Sequence, residues 1–308
     1  MILHMRIRAV SVVCIALFTL TSCSSTSQSA IEITSASAVS VTENSGETAA
    51  FSRIITLANG SAEIIDAMGF KKLIVGRDIA STDESLKDIP VVSTGHQVVA
   101  EKIIALQPDL VIIDQSVGPR EAITAVRKAG IRVELINEVW RVDDITTKVD
   151  AIAQLIGLPL SGKALSDEIK STISLVSQKV SGSPRIAFLY LRGGSSIYLL
   201  GGKGSGADSM LNALGTFDVG ASISNVPFAP FTAESFAVED PEILLVMSKG
   251  LESVGGVDGL VGLPGVAQTT AGKNRAVIAI DDSLLLSFGP RTPDLLLKLA
   301  DAIEKVRS

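Results

Sequence analysis

Few side chains in this 308-residue chain could bind a metal or activate a nucleophile. They are His4 and His96, Cys14 and Cys23, Tyr190 and Tyr198. Zinc and manganese sites commonly draw on several His or Cys, which disfavours a receptor for either ion. No serine sits in a Gly-x-Ser-x-Gly frame with a histidine partner in workable order, so a serine hydrolase is not supported. The run Gly201-Gly202-Lys203-Gly204-Ser205-Gly206 lacks the Gly-Lys-Ser/Thr end of a phosphate loop and does not form Gly-x-Gly-x-x-Gly. It reads as a strand-to-helix turn whose backbone donors suit an anionic group. What remains is an imidazole in the Gly-flanked loop Thr94-Gly95-His96, and two phenols. Tyr198 lies six residues after Arg192 and alternates with Ile197 and Leu199 on a strand, whereas Tyr190 sits in Ile186–Leu191, which reads as a buried core strand. Met210, on a helical stretch, reads as core packing.

The N-terminus narrows this inventory. Arg6 and Arg8 precede a mostly apolar run, Ala9 to Leu20, and then Leu20-Thr21-Ser22-Cys23. A basic start and about 7–15 apolar residues describe a secretory leader, and the run is short of the roughly 20 residues a spanning helix needs. Residues 1–22 are therefore expected to be removed as a lipoprotein signal peptide, with Cys23 as the lipid anchor. His4 and Cys14 would depart with the leader, leaving His96 as the single histidine and no internal disulfide. Residues 23–50 are rich in Ser, Thr and Ala and read as a flexible tether. The formal net charge of −6 argues against nucleic acid as a partner.

From Arg53 onward, β-branched runs alternate with helical segments. Arg53–Leu57, Leu73–Val75, Leu110–Ile113 and Val133–Ile136 read as buried strands, and Ser61–Met68 and Glu121–Lys128 as helices. That rhythm predicts an α/β lobe over 51–158. A connecting helix is expected over 159–182, of which Ser161 to Val180 would span roughly 30 Å, and a second α/β lobe follows over 183–308. Residues 100–113 align without a gap to residues 233–246, placing Glu101 opposite Glu234; each copy is a short helix, a proline that ends it, and a strand. The expected architecture is two Rossmann-like α/β lobes joined by a single long helix.

Four stretches together carry a resemblance. They are Arg53–Ile64, Thr94-Gly95-His96, Arg192–Tyr198 running into Gly204–Ser209, and Gly289-Pro290-Arg291-Thr292-Pro293. A lipoprotein with these features resembles the class III solute-binding proteins of ABC importers, and within them the haem-binding branch. The resemblance implies a cleft between lobes that holds haem b (hemin) as transported ligand, with one axial iron ligand from each lobe. His96 occupies the N-lobe ligand position and Tyr198 the C-lobe one. The segment between His96 and Glu101 is shorter than in members that use tyrosine there, so the ligand loop would be set differently.

Imidazole and phenolate both suit haem iron, the latter by balancing the ferric charge. Propionates call for cationic partners, for which Arg192, Arg291 and Arg77 are the candidates. Phe228 and Phe231 would offer flat apolar contact to the porphyrin. The resemblance further implies that Glu101 and Glu234, one per lobe, dock on a two-fold permease dimer, and that upstream proteins would donate the haem. The expected protein is an extracytoplasmic receptor anchored to the cell membrane, not an enzyme. A ferric siderophore or corrinoid receptor is the alternative within binding proteins, and a haem-dependent redox or sensor lipoprotein the alternative from another class.

Overall fold

Strings of Ile, Val and Leu with no polar alternation belong on strands covered on both faces. In the computed structural model, which describes residues 29–42, 46–176, 179–230 and 232–308, they form two mainly parallel sheets. The expected leader, Cys23 and Phe231 lie outside the described residues. In chain order the strands are β1 (Ile31–Ile33), β2 (Ile54–Thr56), β3 (Ile74–Arg77), β4 (Ser93–Thr94), β5 (Gln97–Val98), β6 (Leu110–Ile113) and β7 (Arg132–Leu135). They continue as β8 (Arg185–Arg192), β9 (Ile197–Gly201), β10 (Phe217–Asp218), β11 (Phe228–Pro230), β12 (Ile243–Met247) and β13 (Val277–Ile280).

The N-terminal sheet has the order β3-β2-β6-β7, parallel throughout. The C-terminal sheet repeats that unit as β10-β8-β12-β13, also parallel. The sequence repeat falls on equivalent elements: helix Ala100–Ala105 leads into β6, and helix Ala233–Glu239 into β12. Two antiparallel strands, β9 and β11, extend the second sheet beyond β8. This is the two-lobed α/β architecture expected.

Two expectations about the connections are corrected. The segment 23–50 is not all tether: Ile31–Ile33 forms β1, which pairs parallel with β13 of the second sheet. The Val39 and Val41 amides then donate to Pro290 and Ala67 carbonyls at 2.9 and 2.8 Å. The chain thus crosses between lobes before the first sheet begins, so the long helix is not the single connection. That helix runs Pro159–Val176, about 27 Å at 1.5 Å per residue. It packs against helix Ile145–Ile156 and the C-terminal helix Thr292–Arg307.

Buried polar contacts also tie the lobes. Glu63, in helix Ser61–Ala67, pairs with Arg291 with Nε to Oε2 at 3.0 Å, and both side chains are almost wholly buried. Lys148, in helix Ile145–Ile156, donates to the Ser287 and Phe288 carbonyls at 2.8 and 3.1 Å. Gly60 sits where these elements converge. Its φ of +73° is left-handed, and a Cβ there would lie 2.6 Å from the Ser287 oxygen, so only glycine fits. Trp140 meets Phe288 edge-on, with ring centroids 6.1 Å apart.

Candidate ligand cleft

The tight turn between β4 and β5 is made of Gly95 and His96 alone. Gly95 has φ +61°, the left-handed value that a two-residue hairpin requires at its first central position. The next side chain is thereby pushed outward, and His96 is exposed on the wall of a cavity of about 370 Å³. That volume lies in the range of about 300–1,000 Å³ common for small-molecule sites. Leu57, Asn59, Asp78 and Ile79 line it from the first lobe, Lys249, Asp282, Ser283 and Leu286 from the second. The cavity is therefore an interlobe cleft, at the carboxyl ends of β2, β3, β12 and β13, where open α/β sheets place ligands.

The tautomer of His96 follows from its neighbours. Its Nδ1 lies 2.9 Å from the Ser116 hydroxyl, and that hydroxyl donates its only proton to Asp114 Oδ1 at 2.6 Å. The serine oxygen must then accept from Nδ1–H, which leaves Nε2 bare as a metal-ligating lone pair. Asp114 is itself buried and held by the Asn59 and Ser116 amides at 3.2 and 3.0 Å. The Asp114–Ser116 support was not picked out in the sequence, because Ser116 lies 20 positions along the chain, after β6, and meets His96 only in the fold. The Asp78 carboxyl on the same wall is pushed up by burial, against the hydrogen bonds it accepts from Ser81 and the Ala80 amide.

On the second lobe, the geometry separates the two phenols. β8 alternates faces: Ala187, Leu189 and Leu191 pack into one core, and Ile186, Phe188 and Tyr190 meet the other. Tyr198 pairs with Leu191 across the β8–β9 ladder, so it shares the Leu191 face and packs with that core. Tyr190 and Arg192 lie on the opposite face. Both phenols are half-buried and pack against their respective cores, and the Arg192 guanidinium lies 4.6 Å from the Tyr190 ring centroid. Arg192 in turn reaches Asp282 of the cleft wall at 3.6 Å. Neither phenol is among the residues lining the cavity; Tyr190 is linked to its wall through Arg192 and Asp282, and Tyr198 lies on the opposite, Leu191 face.

The arginines are also redistributed. Arg291 is committed to Glu63, with Asp83 at 3.9 Å, and is buried away from the cleft. Arg77 is held by the Leu86, Ile89 and Ser81 carbonyls. Both are engaged inside the fold, and neither is among the residues lining the cavity. Arg192 stays at the cleft edge, already shared between Tyr190 and Asp282. Phe228 is on the Tyr190 side, its ring centroid 5.4 Å away. The Gly204 and Gly206 amides donate to Asp208 at 2.9 Å each, so the turn binds its own carboxylate rather than a ligand's. Met210 is fully buried core. Ile79 and Leu286, which line the cleft, were not singled out in the sequence; an isolated aliphatic carries no signal of its position. Glu101 and Glu234 are exposed in the first turns of their equivalent helices. No helix among the described residues is long and apolar enough to cross a membrane.

Comparison with known proteins places this geometry among relatives. The family model described as "Periplasmic binding protein" matches residues 54–284. Among solved structures, the periplasmic heme-binding protein RhuT from Roseiflexus sp. RS-1, in apo form, is 35% identical with a TM-score of 0.77. The match covers 83% of this chain and 99% of that one. The heme binding protein HmuT is 33% identical with a TM-score of 0.78, covering 89% of this chain and 97% of that one. HmuT has also been solved with alanine in place of a histidine, of a tyrosine, and of the arginine two positions after that tyrosine. Tyr190 and Arg192 have the same two-residue spacing. By sequence, the Vitamin B12-binding protein of Vibrio campbellii is 25% identical over 207 residues, 66% of this chain and 73% of that protein.

Proposed function

The chain belongs to the periplasmic binding protein family, and from that premise we propose that it captures hemin in the interlobe cleft and delivers it to the permease of an ABC importer. The observation that carries the reading is the His96 imidazole, on the cleft wall with Nδ1 spoken for by Ser116 and Nε2 bare. A lone imidazole locked in that tautomer suits an axial ligand to iron whose other bonds come from a macrocycle.

Tyr190 is the axial partner from the second lobe, with Arg192 over its ring to balance the charge of a ferric-bound phenolate. Phe228, Ile79 and Leu286 offer apolar contact to the porphyrin. With both axial positions taken by the protein, the iron keeps no open site for oxygen or peroxide, so the role is capture and release, not turnover. Glu101 and Glu234 meet like basic sites on the two permease subunits, and Cys23 carries the lipid that keeps the receptor at the membrane. The heme-binding names of RhuT and HmuT support the ligand, and the repeated helices that carry the two glutamates support the docking mode.

The test is an optical titration of the purified protein with hemin and, in parallel, with cyanocobalamin. Stoichiometric hemin binding with a ferric six-coordinate spectrum is expected. Tight binding of cyanocobalamin without hemin binding would overturn the reading in favour of a corrinoid receptor.

A further inference from the structure

The cleft is unevenly charged. Among the residues lining it, Lys249 is the one lysine or arginine, against the carboxylates of Asp78, Asp281 and Asp282. Each of those carboxylates is engaged internally. Asp78 accepts from Ala80 and Ser81, Asp281 from Ser283, and Asp282 from the Lys249 amide at 3.2 Å while also facing Arg192. The Lys249 side chain is exposed and, among the described residues, its ammonium makes no hydrogen bond or ion pair. Its backbone is nevertheless fixed, because the amide bond to Asp282 ties the end of β12 to the end of β13. A free cation on a held backbone, in a cavity whose anions are occupied, is a site for an anionic group of the ligand. The other cations considered for that task are Arg77 and Arg291, spent inside the fold, and Arg192, shared with Tyr190 and Asp282.

We propose that Lys249 pairs with a single carboxylate of the bound macrocycle and thereby selects a carboxylate-bearing porphyrin over a macrocycle fringed with neutral amides. The inference rests on the cleft being a hemin site and adds what that reading leaves open: which residue reads the periphery of the ring, and how many carboxylates it reads. One ammonium satisfies one propionate, so the other points to water. The same residue disfavours a corrinoid, whose amide fringe can accept a hydrogen bond from the ammonium but carries no charge to balance it, and so forms the weaker, neutral-acceptor bond.

Lys249→Met keeps the length of the side chain and removes its charge. The experiment titrates wild type and Lys249→Met with hemin, with the haem monomethyl ester and with the haem dimethyl ester, and follows the iron spectrum throughout. In wild type, hemin and the monoester are expected to bind alike and the diester about tenfold more weakly, the value of one charge-assisted hydrogen bond. In Lys249→Met all three are expected to bind at the level of the wild-type diester, with unchanged axial spectra. Equal affinity of wild type for hemin and diester, or hemin affinity untouched by the substitution, overturns the assignment of Lys249 while leaving the haem reading in place. A wild type that binds none of the three porphyrins removes both.

Discussion

Replacing Arg291 by Met separates two roles that its position in the chain cannot tell apart. Gly289-Pro290-Arg291 looks like a rim motif that could meet a propionate, but the guanidinium is buried against Glu63 with Nε to Oε2 at 3.0 Å. Breaking a buried pair by removing one partner leaves an uncompensated charge and costs about 3–5 kcal/mol. For a chain of this size that corresponds to a fall in Tm of about 10 °C. The loss should depend on pH, with a definite sign. Burial already raises the Glu63 carboxyl above its ordinary range, with Arg291 as the main opposing influence. Removing the arginine raises it further, so the folded variant takes up a proton more readily than its unfolded chain. A group of that kind contributes stability at low pH and loses it as pH rises through the folded value. The deficit of Arg291→Met relative to wild type should therefore be smaller near pH 5 than near pH 8. The double variant Glu63→Leu/Arg291→Met should recover most of it, since apolar replacement of both partners is often close to neutral. Thermal unfolding followed by circular dichroism at the two pH values measures this, alongside a hemin titration expected to be unchanged. Wild-type stability combined with weakened hemin binding would refute the reasoning and return Arg291 to the ligand.

Three other outcomes are expected. Ser116→Ala removes the acceptor that fixes the His96 tautomer; hemin affinity should fall about 10–100-fold, the usual loss for a residue that orients a metal ligand, with thermal stability little changed. A titration and a melting curve on the same sample check both parts. Burial lowers the Lys148 ammonium to about 8, partly offset by Glu63, Asp114 and Asp78. The unfolded chain therefore holds its proton more tightly above pH 8, and stability should rise with pH from about 8 to 10 relative to Lys148→Met, by about 2 kcal/mol; chemical denaturation across that range measures it. Asp282→Asn weakens the hold on Arg192 at the cleft edge and should shift the iron spectrum of the hemin complex, while Asp208→Asn, in the glycine-rich turn, should leave it unchanged.

The parts of this protein that were legible in the sequence are those set by neighbours along the chain. Buried strands announce themselves as unbroken runs such as Leu110–Ile113 and Ile243–Met247, and the helix-proline-strand repeat survives in both lobes because each copy is a local unit. His96 was legible for a similar reason: it is scarce, and Gly95 beside it dictates a tight turn. What was not legible depends on partners far away. β1 is three residues in a Ser- and Thr-rich stretch, and only β13, some 250 positions later, makes it a strand. Arg291 finds Glu63 at a separation of 228 residues. The choice between Tyr190 and Tyr198 turns on ladder register, which places Tyr198 on the Leu191 face and leaves Tyr190 with Arg192 on the other. A hydrophobic run conceals that distinction, because both faces of β8 are apolar until the strand reaches the cleft.

The pairing of His96 with Tyr190 across the cleft is tested most directly by optical spectra of the hemin complexes of His96→Ala, Tyr190→Phe and Tyr198→Phe. The account predicts that Tyr190→Phe abolishes the phenolate-to-iron charge-transfer band, that His96→Ala lowers the coordination number while keeping that band, and that Tyr198→Phe matches wild type. A complex that loses the band in Tyr198→Phe and keeps it in Tyr190→Phe would contradict it.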